Sequence, residues 1–146
     1  MTKELDASIT SDVSFHAYRT RSLHTNGNVD YQETRVNTVG NALDLGSGVF
    51  TAPKAGTYLF HFHCTKVSKE FRAYITLNGN YQTAMWTGTD KNPWAVNGAM
   101  SAVLNLKVND KVAVWIDGEI WDGTLFFPYV PPFLTAFFGV LLREKH

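Results

Sequence analysis

The chain has little of several features that would assign it to a class of protein. Cysteine occurs once in 146 residues, at Cys64, so no disulfide can form within the chain. Basic and acidic residues cancel at thirteen each, which removes the positive surface that nucleic-acid binding normally needs. No Asn-x-Ser/Thr site for N-glycosylation is present. We therefore expect no nucleic-acid partner, while cysteine and glycosylation patterns leave the compartment open.

Long apolar runs are also missing. The longest apolar stretch lies near the C-terminus and is interrupted by Pro128, Pro131 and Pro132. It falls short of the ~20 residues of a membrane-spanning helix, so we expect no membrane insertion. Residues 1–6 lack the apolar core of a signal peptide. This start fits either an intracellular protein or a mature sequence behind an added Met.

The composition that remains is that of one folded domain. Hydrophobic residues make up 45% of the chain and charged residues 18%, which is enough apolar material for a core. The length is that of about one domain. Residues 1–12 are polar and aperiodic and predict a flexible N-terminal arm. Residues 13–146 then form the domain.

Short alternating or apolar runs separated by turn residues predict an all-β fold. Asn78-Gly79 lies between two such runs and is a strong hairpin signal. Asn109-Asp110 and Asp117-Gly118 mark further turns, and a strand set of this kind suggests a sandwich or a jelly roll. The predicted strands are Val13–Arg19, Tyr31–Val36, Gly48–Thr51, Thr57–Lys66, Phe71–Leu77, Tyr81–Thr87, Val96–Leu106, Lys111–Asp117 and Leu134–Leu142.

Two of these strands predict an oligomer. The face of Thr57–Lys66 that carries Tyr58, Phe60 and Phe62 is typical of a core. The opposite face would meet water in a monomer, yet it carries Leu59 and two imidazoles. The strand Leu134–Leu142 is apolar on both faces, as strands buried on both sides are. Another subunit is the simplest second cover. The residues expected in that interface are Leu59, His61, His63, Phe138 and Val140.

Three ordered motifs carry a family resemblance. Residues 48–60 read Gly-Val-Phe-Thr-Ala-Pro-Lys-Ala-Gly-Thr-Tyr-Leu-Phe, residues 104–112 read Leu-x-Leu-x-x-x-Asp-x-Val, and residues 135–142 close with Thr-x-Phe-x-Gly-x-Leu-Leu. Together they resemble the globular head domain of the C1q family, within the tumour-necrosis-factor-like superfamily. The resemblance implies a ten-stranded antiparallel jelly-roll sandwich that assembles as a homotrimer. Pro53 would stiffen the turn before the core strand, and Gly56 would permit its backbone conformation. Without Gly-X-Y repeats, we expect a stand-alone head that lacks a collagen stalk.

Catalytic and metal chemistry find weak support. Cys64 lies in an apolar strand, where a buried inert thiol is expected rather than a nucleophile. His61-x-His63 resembles the pair that cupin-type jelly-roll enzymes use for metal, with Glu70 as a conceivable third ligand, but no second His motif follows. We therefore predict no catalytic residue and no cofactor. Calcium stays an open alternative, because loop carboxylates could bind it although no EF-hand spacing supports this; these are Asp90, Asp117, Glu119 and Asp122.

Two loop segments, 85–94 and 118–129, combine tryptophan with polar residues. Tryptophan rings cover the C–H faces of sugars while polar groups bond the hydroxyls, although such rings also pack at the end of a sandwich. The candidate ligand residues are Trp86, Asp90, Lys91, Asn92, Trp94, Trp121, Asp122 and Tyr129.

The functional expectation is a secreted homotrimer that recognises glycans or microbial surface molecules, in the manner of a lectin of innate immunity. One alternative is a cytokine-like or extracellular scaffolding module with a protein receptor as partner. Another is a metal-dependent cupin-like enzyme that uses His61 and His63. If those two histidines lie in the trimer interface, acid below about pH 6 is expected to weaken assembly.

Overall fold

The computed structural model describes residues 12–39, 41–66, 70–87, 96–121 and 133–146. Within these ranges every regular element is a β-strand, and no helix is long and apolar enough to cross a membrane. The strands are β1 (Ser14–Tyr18), β2 (Gly27–Asn28), β3 (Glu33–Asn37), β4 (Leu43–Asp44), β5 (Val49–Thr51), β6 (Gly56–Lys66), β7 (Phe71–Leu77), β8 (Asn80–Thr87), β9 (Val96–Leu106), β10 (Lys111–Asp117) and β11 (Ala136–Glu144).

These strands form two antiparallel sheets that pack face to face. The five-stranded sheet has the order β3-β1-β11-β6-β9. The other sheet has the order β4-β5-β10-β7-β8, with β2 paired to β10 as its sixth strand. The chain passes repeatedly between the two sheets, so neighbours in a sheet are mostly distant in sequence. The all-β, antiparallel sandwich is therefore confirmed.

All nine predicted strands occur, with bounds shifted by a few residues at most. The last strand begins at Ala136 rather than Leu134 and continues to Glu144, because Arg143 and Glu144 still pair with the start of β6. The two unpredicted strands, β2 and β4, are two residues long. A strand of two residues shows no alternation, so only its pairing with a neighbour reveals it.

The core lies between the sheets and is rich in aromatic rings. Phe60 of β6 is fully buried and has its ring centroid about 6 Å from those of Phe15, Phe50 and Phe137, at 6.2, 5.7 and 6.0 Å. The predicted core face of β6 is thus confirmed. Tyr58 extends this cluster, and its hydroxyl donates a 2.7 Å hydrogen bond to the Lys54 carbonyl oxygen, so its polar end is satisfied.

Two features of the backbone concern predicted turns. Asn78 and Gly79 join β7 to β8 with φ of 50° and 83°, the left-handed pair that a tight hairpin requires. Gly56 has a different role from the one predicted. It is not among the residues of positive φ, and a Cβ there would lie 2.3 Å from the carbonyl oxygen of Arg143. Gly56 is needed because β11 approaches too closely for a side chain.

The first and last strands of the domain are neighbours. β1 pairs antiparallel with β11, and Ser14 lies opposite Val140. The chain therefore enters β1 and leaves β11 at the same end of the sandwich. Of the predicted N-terminal arm, residues 1–11 lie outside the described residues.

Candidate functional site

The outer face of the five-stranded sheet brings together all five residues predicted in a subunit interface. Pairing between β11 and β6 places Val140 beside Leu59 and Phe138 beside His61. His63 lies two residues further along β6 and therefore on the same face. All five side chains are half-buried in the single chain. Whether a second subunit covers them stays a prediction.

This face remains apolar at its neighbouring positions. Val103 of β9 pairs with Leu59 and is 62% exposed, and Leu142 at the end of β11 is 56% exposed. The outer face of an antiparallel sheet normally carries polar residues, since it meets water. We call the surface formed by Leu59, His61, His63, Val103, Phe138 and Val140, together with His16, the apolar–imidazole face.

His16 is a member of this face that sequence reasoning missed. β1 pairs with β11 so that His16 lies beside Phe138, on the side opposite His61. The Phe138 ring is 5.2 Å from the His61 ring and 6.1 Å from the His16 ring, between centroids. The rings of His61 and His63 are 6.0 Å apart. Two imidazoles thus flank one phenyl ring, with a third imidazole beside His61, and only the strand pairing shows that His16 belongs to this group.

The surroundings favour the neutral form of two of these imidazoles. Burial, and secondarily the neighbouring His63, lower the pKa of His61 below its usual value. Burial also lowers the pKa of His16, with smaller contributions from His63 and from Arg35 of β3. His61 Nδ1 lies 2.7 Å from Ser101 Oγ, and His63 Nδ1 donates a 3.0 Å hydrogen bond to the Leu134 carbonyl oxygen. These bonds hold the rings of β6 in place.

The residues considered for metal or nucleophilic chemistry lie apart. In the described ranges, no group of three or more His, Cys, Asp or Glu side chains is arranged to hold a metal ion. Glu70 contacts Arg72 and Trp86 on the six-stranded sheet. Cys64 is buried in β6, and burial raises the pKa of its thiol to about 12, which keeps it protonated and unreactive.

Two of the predicted ligand residues lie in described parts of the chain. Trp86 lies on the outer face of β8, near the end of the strand, and is 65% exposed. Its indole nitrogen lies 3.4 Å from the Glu70 carboxylate. Trp121 is buried, with 8% of its surface exposed, and follows β10. The other six predicted residues lie outside the described residues; they are Asp90, Lys91, Asn92, Trp94, Asp122 and Tyr129.

Two of the carboxylates considered for calcium are described, and both have basic neighbours. Asp117 lies 3.4 Å from the Arg72 guanidinium. The Glu119 carboxylate lies 3.6 Å from His24 Nδ1. Asp90 and Asp122 lie outside the described residues.

A second aromatic surface, on the outer face of the six-stranded sheet, was not predicted. The rings of Tyr74 and Tyr81 stack at 3.8 Å with an angle of 8° between their planes. Trp115 lies next to them, 6.1 Å from Tyr74 and 6.5 Å from Tyr81 between centroids. The three residues come from β7, β8 and β10, so no sequence window contains them. The only sequence signal for this surface is the alternation of side chains along each strand, which places all three residues at outward positions.

Comparison with known proteins assigns the chain to a family. A model of the C1q domain matches residues 14–126. The chain belongs to the C1q domain family. Among solved structures, this C1q domain is similar to the "Globular Domain of Zebrafish Complement 1qA protein", with 20% identity, a TM-score of 0.68, and coverage of 91% of this chain and 99% of that chain.

A second structure similar to this C1q domain is that of "Eiger TNF from S. frugiperda", with 12% identity, a TM-score of 0.68, and coverage of 92% of this chain and 95% of that chain. The two structures support the jelly-roll fold. Caprin-2 of Danio rerio is 35% identical over 75 residues, which is 51% of this chain and 8% of caprin-2. The chain thus spans less than a tenth of that relative's length.

The motifs that first indicated a C1q domain serve the core. Phe50, Tyr58 and Phe60 of the first motif are buried between the sheets, as is Phe137 of the last. Their side chains point away from the apolar–imidazole face and from the Tyr74–Tyr81–Trp115 surface. The motifs therefore specify the fold, and the ligand must be inferred from residues outside them.

Proposed function

We propose that this C1q domain is a trimeric extracellular binding module that recognises glycans in the manner of a lectin of innate immunity. The observation that carries the proposal is the apolar–imidazole face, which a single chain leaves half-covered. A second copy of the chain is the occupant that fits it, because C1q domains typically self-associate and a sheet face that meets water is normally polar. A trimer then presents three copies of each ligand site, and several weak contacts add up to avidity.

Assembly can be tested at a position that the folded protomer leaves exposed. Val103→Arg places a charge on the apolar–imidazole face without disturbing the core, because the side chain is 62% exposed. Burying that unpaired charge between subunits would cost several kcal/mol. We therefore expect the wild-type chain to have the mass of a trimer by light scattering, and Val103→Arg to have the mass of a monomer.

A matched control uses the same change elsewhere. Val108 is 53% exposed in the turn between β9 and β10, away from the apolar–imidazole face. Val108→Arg should remain a trimer. A wild-type chain that is monomeric at micromolar concentration would refute the assembly proposal, and a trimeric Val103→Arg would show that subunits meet through another face.

Glycan recognition is supported by exposed aromatic rings that have polar neighbours. Trp86 combines a 65% exposed ring with the Glu70 carboxylate and, on the paired strand, Arg72. A ring of this kind stacks on the apolar face of a sugar while charged and polar groups bond its hydroxyls. Trp94 is the other tryptophan to test, since it belongs to one of the two loop segments that combine tryptophan with polar residues. Trp121, also predicted as a ligand residue, is only 8% exposed and has no open ring face for a sugar.

The test is a screen of the purified chain against a glycan array and microbial polysaccharides, with and without EDTA. We expect selective binding that is weakened by Trp86→Ala or Trp94→Ala, and a loss with EDTA would identify calcium as a required ion. A clean negative at high protein concentration would refute the lectin proposal. A protein receptor would then be the expected partner, and pull-down the appropriate experiment.

A further inference from the structure

The outer face of the six-stranded sheet contains a cleft beside the stacked tyrosines. It has a volume of about 420 Å³, within the range of small-molecule sites. Tyr81 and Trp115 supply its aromatic walls, and Thr76, Asn78 and Lys111 supply polar ones. We propose that this cleft is a sugar-binding subsite in which a pyranose ring stacks on Tyr81. The inference deepens the proposed lectin function and depends on it.

The stack with Tyr74 fixes the orientation of the Tyr81 ring. One of its faces lies on Tyr74 at 3.8 Å, nearly parallel, while the residue as a whole is 59% exposed. The opposite face is therefore the open one. A ring that is already oriented loses little conformational entropy when a ligand stacks on it. Trp115, at 6.5 Å and inclined by 39°, gives the site a second wall rather than a flat surface.

The polar rim is also rigid. The side-chain oxygen of Asn78 accepts a 2.8 Å bond from the Lys111 backbone N–H, and its amide group donates a 3.1 Å bond to Asp110. Lys111 Nζ donates to Thr51 Oγ1 at 3.1 Å, which uses one of its three N–H donors. The ammonium group can thus donate to a hydroxyl or a carboxylate of a sugar. Aromatic walls with a few fixed donors match the amphipathic chemistry of a pyranose.

The location leaves the cleft accessible in the assembly. It lies on the six-stranded sheet, whereas the apolar–imidazole face belongs to the five-stranded sheet on the other side of the sandwich. In a trimer whose apolar–imidazole faces meet around the three-fold axis, the three clefts lie on the outside and stay open to solvent, so the same molecule can assemble and bind.

The experiment measures saturation-transfer NMR and titration of the full chain with methyl glycosides of glucose, galactose, mannose, N-acetylglucosamine and glucuronic acid. We expect at least one to bind, with affinity reduced about tenfold by Tyr81→Ala and retained by Tyr81→Phe, which keeps the ring. Phe133→Ala is the matched control. It removes another exposed aromatic ring, which packs on Tyr18 of the five-stranded sheet, and binding at the cleft should survive it.

Each contrary outcome is distinct. Binding that survives Tyr81→Ala but is lost in Trp86→Ala would overturn the cleft and leave the lectin function standing. Binding of none of the five glycosides, together with a negative glycan array, would refute the lectin function itself. A lower melting temperature of Tyr81→Ala with unchanged sugar affinity would show that the tyrosine stack serves only the hairpin.

Discussion

Acid should dissociate the proposed trimer, and the size of the effect follows from the spacing of two imidazoles. The rings of His61 and His63 are 6.0 Å apart. If both are protonated, their repulsion is about 0.7 kcal/mol when they face water and about 3 kcal/mol at the effective dielectric constant of ~20 typical of a protein. Covering the face in a trimer therefore costs about 2 kcal/mol for each protomer. Three protomers give about 6 kcal/mol, or about 10⁴-fold in the assembly constant.

The sign follows from the pKa directions. The pKa of His16 and of His61 are lowered from 6.5 in the folded protomer, so the unfolded chain takes up protons at a higher pH than the folded one does. Covering the rings in a trimer buries them further and acts in the same direction. The stabilisation is therefore full above about pH 6.5 and is lost as the pH falls through the lowered values. Arg35 of β3 is the fixed cation that disfavours charge on His16, and β9 faces His61 with Ser101. No described carboxylate is paired with either imidazole to reverse this sign.

The assay is mass measurement by light scattering at low micromolar concentration, at pH 7.5 and at pH 4.5. We expect a trimer at the higher pH and smaller species at the lower one. A variant in which His16, His61 and His63 are all glutamine should stay trimeric at both. His24→Gln, which alters an exposed histidine away from the face, should behave as the wild type. An unchanged trimer at pH 4.5 would refute the reasoning.

Three further predictions concern the protomer. Phe60→Ala removes a fully buried ring and should lower the free energy of unfolding by about 3–5 kcal/mol in urea titrations; a loss below 1 kcal/mol would contradict the packing described. Gly139→Ala places a Cβ 2.5 Å from the Phe15 ring and should cost about 1–3 kcal/mol by the same measurement, whereas a neutral result would mean that the core yields easily. The Cys64 thiol, with a pKa of about 12, should react with a thiol reagent at pH 8 only after denaturation, and rapid labelling of the native chain would show it to be accessible.

Much of the fold was predictable because the longer strands alternate clearly. The inward and outward positions of β6 follow from its sequence, and Asn78-Gly79 alone specifies the tightest hairpin. The two-residue strands escape prediction since they have no period. The need for glycine at position 56 could not be predicted either. A side chain there would clash with the carbonyl oxygen of Arg143, which lies 87 residues later in the chain, and no local sequence pattern connects the two residues.

The candidate sites were predictable only where one strand carries them. His61 and His63 stand two residues apart on β6, so their shared face is visible in the sequence. His16 joins them through the pairing of β1 with β11, which depends on register. The Tyr81–Trp115 cleft is harder still, because its walls come from strands whose order in the sheet is unrelated to their order in the chain.

The pairing of the first strand with the last has a mechanical consequence. Ser14 lies opposite Val140, and β11 ends four residues later, so the start of β1 and the end of β11 lie at the same end of the sandwich. Tension applied between these two points would break the β1–β11 hydrogen bonds one after another, rather than load all of them at once. This C1q domain should therefore yield at low force when pulled by its ends, while an anchor on one side alone would leave it unstrained.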